Sequence, residues 1–341
     1  MPRPAFVGVD VAFARDKVLP ISICFWDGGR LVPIPLRQLH VLPPRGSGNA
    51  ATLDEEIVQR FAEDARSYLM TVCGHLDLQI VRIAIDAPKA PCMPGMTRRA
   101  AEQALDAASV SCFATPTAQA FDVIKDKVRR HLAGGGGAPT IPHSNQLWML
   151  VGFALFRELA TLAPCLEVFP QATIRAIGGG QRHKSLSGAV VEQLQAAARY
   201  TGWPREHADE QLAECVWGSP HDQLDAYLSA WVAALDETKR RPMGIPPDDA
   251  IWVPAVDAAT DEDRAWTARP VIRAIPRTSA RPEHLAMDAT RPVLCPGCNS
   301  HEFRRWPWGW DAHAAHRCTG LTSTGSEERE AEFKRRFGDR F

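Results

Sequence analysis

In Phe6-Val7-Gly8-Val9-Asp10-Val11 a single aspartate stands among residues that want burial. A buried carboxylate with nothing to balance it is costly, so a partner must compensate Asp10, and a cation is one candidate. Ile83-Ala84-Ile85-Asp86 repeats the pattern. There the following Ala87-Pro88 cannot continue a central strand, which places Asp86 at a strand's C-terminal tip.

Outward from the first stretch, residues 6–11, 18–26 and 30–36 read as three strands, the last two joined by a hairpin turn at Asp27-Gly28-Gly29. Residues 54–73 carry Ile57, Phe61, Ala65, Leu69 and Val72 at near-helical spacing, with Asp54, Glu55 and Glu56 at the positive N-terminal end. The order is three antiparallel strands, a crossover helix and a fourth strand. It predicts an α/β domain in which the fourth strand lies parallel to the first and beside it. Asp10 and Asp86 then share one edge of the sheet.

Residues 88–162 read as a mainly helical insertion, with Gly134-Gly135-Gly136-Gly137 ahead of a helix containing Leu147, Val151, Leu155 and Leu159. A short strand at 166–169 stops at Pro170, and helices follow at 187–200 and 222–236, the second with Leu224, Leu228, Trp231 and Leu235 on one face. This closes a domain spanning residues 1–240. Residues 241–292 are Pro-rich without a sustained period and read as a linker or wrapping arm, and 293–341 read as a small C-terminal module.

His221-Asp222-Gln223-Leu224-Asp225-Ala226 places two more carboxylates three residues apart on one helical face, so four acids are expected at one point. Oxygen ligands of high negative charge select hard cations such as Mg²⁺ or Mn²⁺, and phosphodiester cleavage by two metals is the chemistry that suits them. Taken singly, Asp10 and Asp86 also fit strand-end caps and Asp222 fits a helix N-cap. As a set the four read as a metal site. Glu167, in Glu167-Val168-Phe169-Pro170, reads as a fifth ligand, as an orienting group behind the others, or as the ion-pair partner of Arg175.

Several of these stretches resemble, in order, the RNase H-like nucleases of domain-of-unknown-function family 429, over about residues 5–236. The resemblance rests on Gly8-Val9-Asp10, Ile85-Asp86-Ala87-Pro88, Arg98-Arg99 with Glu102, Cys112-Phe113 with Thr115-Pro116, Glu167-Val168-Phe169-Pro170, Lys184, and Asp222 with Asp225-Ala226. It implies an RNase H-like fold. Like Holliday-junction resolvases, that plan has one acid on strand 1, one ending strand 4 and two on the last helix, which correspond to Asp10, Asp86, Asp222 and Asp225. It further implies hydrolysis of DNA or RNA with Mg²⁺ and Asp10 as central ligand. Lys184, Arg182, Arg98 and Arg99 are the cations expected to meet substrate, although the stretch with Arg182 and Lys184 also reads as a solvated basic loop.

Gly178 to Ser185 is not a P-loop, because His183 stands where a glycine must precede Lys184-Ser185. Residues 12–17 lack the glycines that would bring backbone amides to ATP phosphates, which disfavours a kinase-like reading. Lys125, Lys127, Arg129 and Arg130 are interleaved with Asp122 and Asp126 and read as a salt-bridged helix surface.

Cys295-Pro296-Gly297-Cys298, followed by His313, His316 and Cys318, offers five ligands for a tetrahedral Zn²⁺, with His301 a further candidate. A module this small has little core of its own, and a structural zinc would staple it. Trp306, Trp308 and Trp310 lie between the ligand pairs. They suit packing of the small core or stacking on bases or a partner.

A chain of 341 residues with 45% hydrophobic and 23% charged residues fits a globular protein rather than a disordered or fibrous one. The formal net charge of -1 gives no global pull toward nucleic acid. The apolar run from Leu147 to Phe156 is half the ~20 residues of a membrane span. No membrane partner and a cytoplasmic location are therefore expected. The leading expectation is a metal-dependent nuclease. The alternative is a non-catalytic adaptor binding nucleic acid or protein, or a second copy of the chain, through the C-terminal module.

Overall fold

The computed structural model describes residues 2–39, 41–179, 188–204, 208–256, 293–294 and 302–303. The chain divides into two units, Met1–Ala268 and Arg269–Phe341. In the second unit, Val293–Leu294 and Glu302–Phe303 pair antiparallel. The zinc-type ligands Cys295, Cys298, His313, His316 and Cys318 lie outside the described residues, as do Arg182 and Lys184.

The first unit is built on a mixed sheet. β1 (Arg3–Asp10) pairs antiparallel with β2 (Ile21–Asp27), which pairs antiparallel with β3 (Arg30–Pro33). Helix α1 (Glu55–His75) then crosses over to β4 (Leu78–Asp86), parallel to β1. Asp54 caps α1, its carboxylate accepting from the amides of Glu56 and Ile57. Helices α2 (Ala100–Ala107), α3 (Ala118–Ala133) and α4 (Ser144–Leu159) fill the expected helical region before β5 (Cys165–Val168), parallel to β4. Short helices α5 (Pro170–Ala176), α6 (Ala189–Thr201) and α7 (Ala208–Cys215) lead to α8 (Pro220–Ala234).

The sheet does not end there. β6 (Arg240–Ile245) and β7 (Asp249–Pro254) extend it to seven strands in the order β3-β2-β1-β4-β5-β7-β6, with β7 parallel to β5. This corrects the expected domain end at 240 and the expected start of a linker at 241. The prolines misled: Pro242 stands on the edge strand β6, where a missing N–H costs no ladder bond, while β7 buries Ala250, Ile251 and Val253 inside the sheet. Residues 257–292 of that segment lie outside the described ones.

Helices cover both faces of the sheet. Ala5, Val7 and Val9 of β1, with Ile83 and Ile85 of β4, pack against α1 and α4 in one core cluster. The alternate residues Phe6 and Ala84 meet Val232 and Ala233 of α8. Every residue of α8 from Asp222 to Ala234 is buried, so this helix is apolar around most of its circumference. It is a core element, more deeply enclosed than the single apolar face in its sequence suggests.

Gly8 explains how α8 gets so close. A Cβ there would sit 2.0 Å from the Ala226 carbonyl oxygen and 2.2 Å from the Ala230 amide nitrogen, both backbone atoms that cannot swing aside. Only glycine lets the helix backbone rest on the strand.

Gly8→Ala should therefore lower the stability of the protein by about 2 kcal/mol or more, the range expected for overpacking. Gly74→Ala, in α1 with open space where its Cβ would go, should be neutral or stabilising by up to about 1 kcal/mol. Denaturant unfolding of both variants checks the contrast, and equal midpoints would contradict the close approach.

Candidate metal centre

Three acids meet at the C-terminal edge of the sheet. Asp10 and Asp86 end two parallel neighbours and are register partners. Side chains alternate along a strand, so Asp10 points to the same face as Phe6 and Gly8, and Asp86 to the same face as Ala84. That face is the one α8 covers, and α8 carries Asp225. One carboxylate oxygen from each of Asp10, Asp86 and Asp225 lies within 4.8 Å of the other two. Asp225 is 2% exposed, and the two strand acids are half-buried.

The donor set fits a hard divalent cation. All three donors are carboxylate oxygens with no sulfur or imidazole among them, the chemistry of Mg²⁺ or Mn²⁺ rather than Zn²⁺. Two oxygens bound to one Mg²⁺ at about 2.1 Å each are at most about 4.2 Å apart. The observed limit of 4.8 Å is close to that span.

Asp222 is not part of this triangle. It occupies the third position of α8, where its carboxylate takes the Ser219 amide at 2.9 Å and the Ser219 hydroxyl, closing a capping box. Lys17 Nζ lies 2.9 Å from the same carboxylate, and His221 Nε2 lies 3.3 Å away. Burial alone would raise the Asp222 pKa, but the Ser219 hydrogen bond and the Lys17 charge outweigh it and hold the carboxyl below its ordinary range. Helical phase predicted that Asp222 and Asp225 would act together. The first turn of α8 instead claims Asp222 for its own orphan amides, and Lys17 draws it toward the loop after β1.

Glu167 is likewise engaged elsewhere. It is 5% exposed and receives a two-pronged guanidinium from Arg99, with Nη1 to Oε2 at 2.9 Å, plus the Lys89 amide at 2.8 Å. Its partner is thus Arg99 at the start of α2 and not Arg175. Arg99 also reaches Glu102 at 3.3 Å and Asp249 at 3.9 Å. Burial opposes the Arg99 charge, but Glu167, Glu102 and Asp249 together hold its pKa above the ordinary arginine range. Arg98 is paired with Asp106 at 2.8 Å. Both arginines are thus engaged in ion pairs within the fold.

Sequence reading missed two contributors. Lys17 carries no motif and reaches Asp222 across 205 positions of chain. The Arg99 to Glu167 pair spans 68 positions, and only the local Arg99 and Glu102 spacing hinted at an ion network. Lys125 pairs with Glu55 and Arg129 with Asp126, as a salt-bridged surface should.

The geometry yields two expected outcomes. In titration calorimetry with Mn²⁺, Asp10→Asn, Asp86→Asn and Asp225→Asn should each weaken binding at least tenfold on the order of ligand-shell losses. Asp222→Asn should leave it unchanged, and equal losses across all four would contradict the triangle. Because the folded pKa of Asp222 is depressed, its stabilisation is full above the unfolded value and fades as pH falls through the folded value. Asp222→Asn should cost about 1–3 kcal/mol at pH 7 by denaturant unfolding, and the gap from wild type should narrow below about pH 4. Comparison with protein-family models, with curated proteins and with solved structures finds no match for this chain.

Proposed function

We propose that this protein is a divalent-metal-dependent hydrolase of nucleic-acid phosphodiesters with an RNase H-like catalytic domain. The observation that carries the reading is the meeting of Asp10, Asp86 and Asp225 within 4.8 Å on two adjacent strand ends and one buried helix. Three antiparallel strands followed by parallel strands and flanking helices support the fold assignment. The resemblance of the short motifs to family 429, carried in part by the same acids, points the same way.

Each acid has a defined task in this reading. Asp10 and Asp86 are set by backbone hydrogen bonding of β1 and β4, so the distance between them is a property of the sheet. Asp225 closes the site from above on a helix that packing holds still. The three would hold Mg²⁺ or Mn²⁺, and the chemistry a bound ion supplies is Lewis acidity toward a phosphoryl oxygen. Without a bound cation the same three carboxylates repel a phosphodiester, so the activity depends on the cation. Arg182, Lys184 and the C-terminal cysteines and histidines, with their Zn²⁺, enter the proposal from sequence alone as substrate-holding elements.

Purified protein with Mg²⁺ or Mn²⁺ should cleave DNA or RNA, lose activity in EDTA and regain it on adding metal back. Asp10→Asn should reduce turnover about 10³-fold or more, the scale of losing metal-assisted charge stabilisation, at near-unchanged thermal stability. Equal turnover in the variant would overturn the assignment.

A further inference from the structure

Beside the three acids lies a cleft of about 590 Å³ whose wall includes Asp86 itself. That volume is in the range of sites for small organic ligands. Three aromatic residues are among those lining it: Phe113 from the loop after α2, Trp148 from α4 and Phe169 after β5. Phe113 is 60% exposed, a large apolar ring that the fold leaves in solvent at this one cleft. Arg99, Glu102 and Glu167 also line it, the single guanidinium forming ion pairs with both glutamates. One guanidinium shared between two carboxylates leaves this group net acidic, which suits a neutral guest with hydrogen-bond donors on its edge, such as the exocyclic amine of a base, over an anion.

Arg175 also lines the cleft, is exposed and has no ion-pair partner among the described residues. Gln171 and Ser111 add neutral hydrogen-bonding groups. The lining thus joins Asp86, one of the acids that would hold metal and phosphate, to a cation and to aromatic faces for stacking. A nucleotide has the matching order of parts: phosphate, then sugar, then a flat ring with polar edges.

We propose that this cleft is a nucleobase pocket, which takes the unstacked base of the nucleotide whose phosphate lies at Asp86. The placement of the phosphate rests on the hydrolase reading of the acid cluster. The consequence for substrate is specific. A base inside a regular duplex cannot reach the cleft, so the protein acts on single strands, or on nucleotides turned out of the stack at mismatches, bulges or branch points.

Saturation-transfer NMR on the whole 341-residue chain in EDTA, with adenosine and ribose as separate probes, tests the pocket without metal or cleavage. Transfer to the adenine protons but none to ribose is expected. Phe113→Ala should weaken adenosine binding about tenfold, the scale of losing one stacking partner, and Phe113→Trp should restore it. Because Phe113 is largely exposed, neither change threatens folding. No transfer to the base, or binding unchanged in Phe113→Ala, overturns the pocket. Should adenosine bind as expected while no metal supports cleavage, the hydrolase reading fails and the pocket stands. Should cleavage proceed without Phe113-dependent binding, the pocket fails and the hydrolase stands.

Discussion

The backbone of α8 rests on the backbone of β1 at Gly8, and the candidate site exists because of it. Side chains of ordinary size would hold helix and sheet about 10 Å apart. At Gly8 that spacing collapses, since even one Cβ would come within 2.2 Å of the helix backbone at Ala226 and Ala230. Asp225 precedes Ala226 on the helix, and Asp10 follows Gly8 by two residues on the same strand face. The close approach thus brings a helix acid down to the level of two strand acids. Parallel pairing of β1 with β4 does the rest, setting Asp10 against Asp86 in register.

Around this contact the chain spends its other buried charges on holding loops in place. The Arg99 fork on Glu167, with Glu102 and Asp249 beside it, ties the start of α2 to β5 and to β7. Glu167 in turn accepts the Lys89 amide, fixing the turn that leaves Asp86. Removing one partner would leave an unbalanced buried charge, a far larger penalty than the pair's net contribution. Asp222 does comparable work at the other side, stitching the first turn of α8 to Lys17. Two acids that resembled ligands thus act as fasteners for the three that meet.

The strand acids were legible in the sequence because strand signals are local: an aspartate in an apolar run, with Pro88 fixing where the run ends. The crossover rule then placed the two strands side by side. Asp225 was legible only as one of a pair, since a helical face does not reveal which member a cap will claim. What divided Asp222 from Asp225 was Ser219 and Lys17, the latter 205 positions away, and no spacing rule reaches that far. The same limit hid the Arg99 pair with Glu167. The last two strands were lost for a different reason: Pro242 speaks against a central strand, yet β6 is an edge.

The most direct test of the central claim is a crystal soaked in Mn²⁺ and imaged by anomalous scattering. The account predicts an ion within bonding distance of Asp10, Asp86 and Asp225, with Asp222 still bound to Lys17 and Ser219. An ion bound by Asp222 in place of Asp225, or no ion between the strand acids at saturating Mn²⁺, would contradict it.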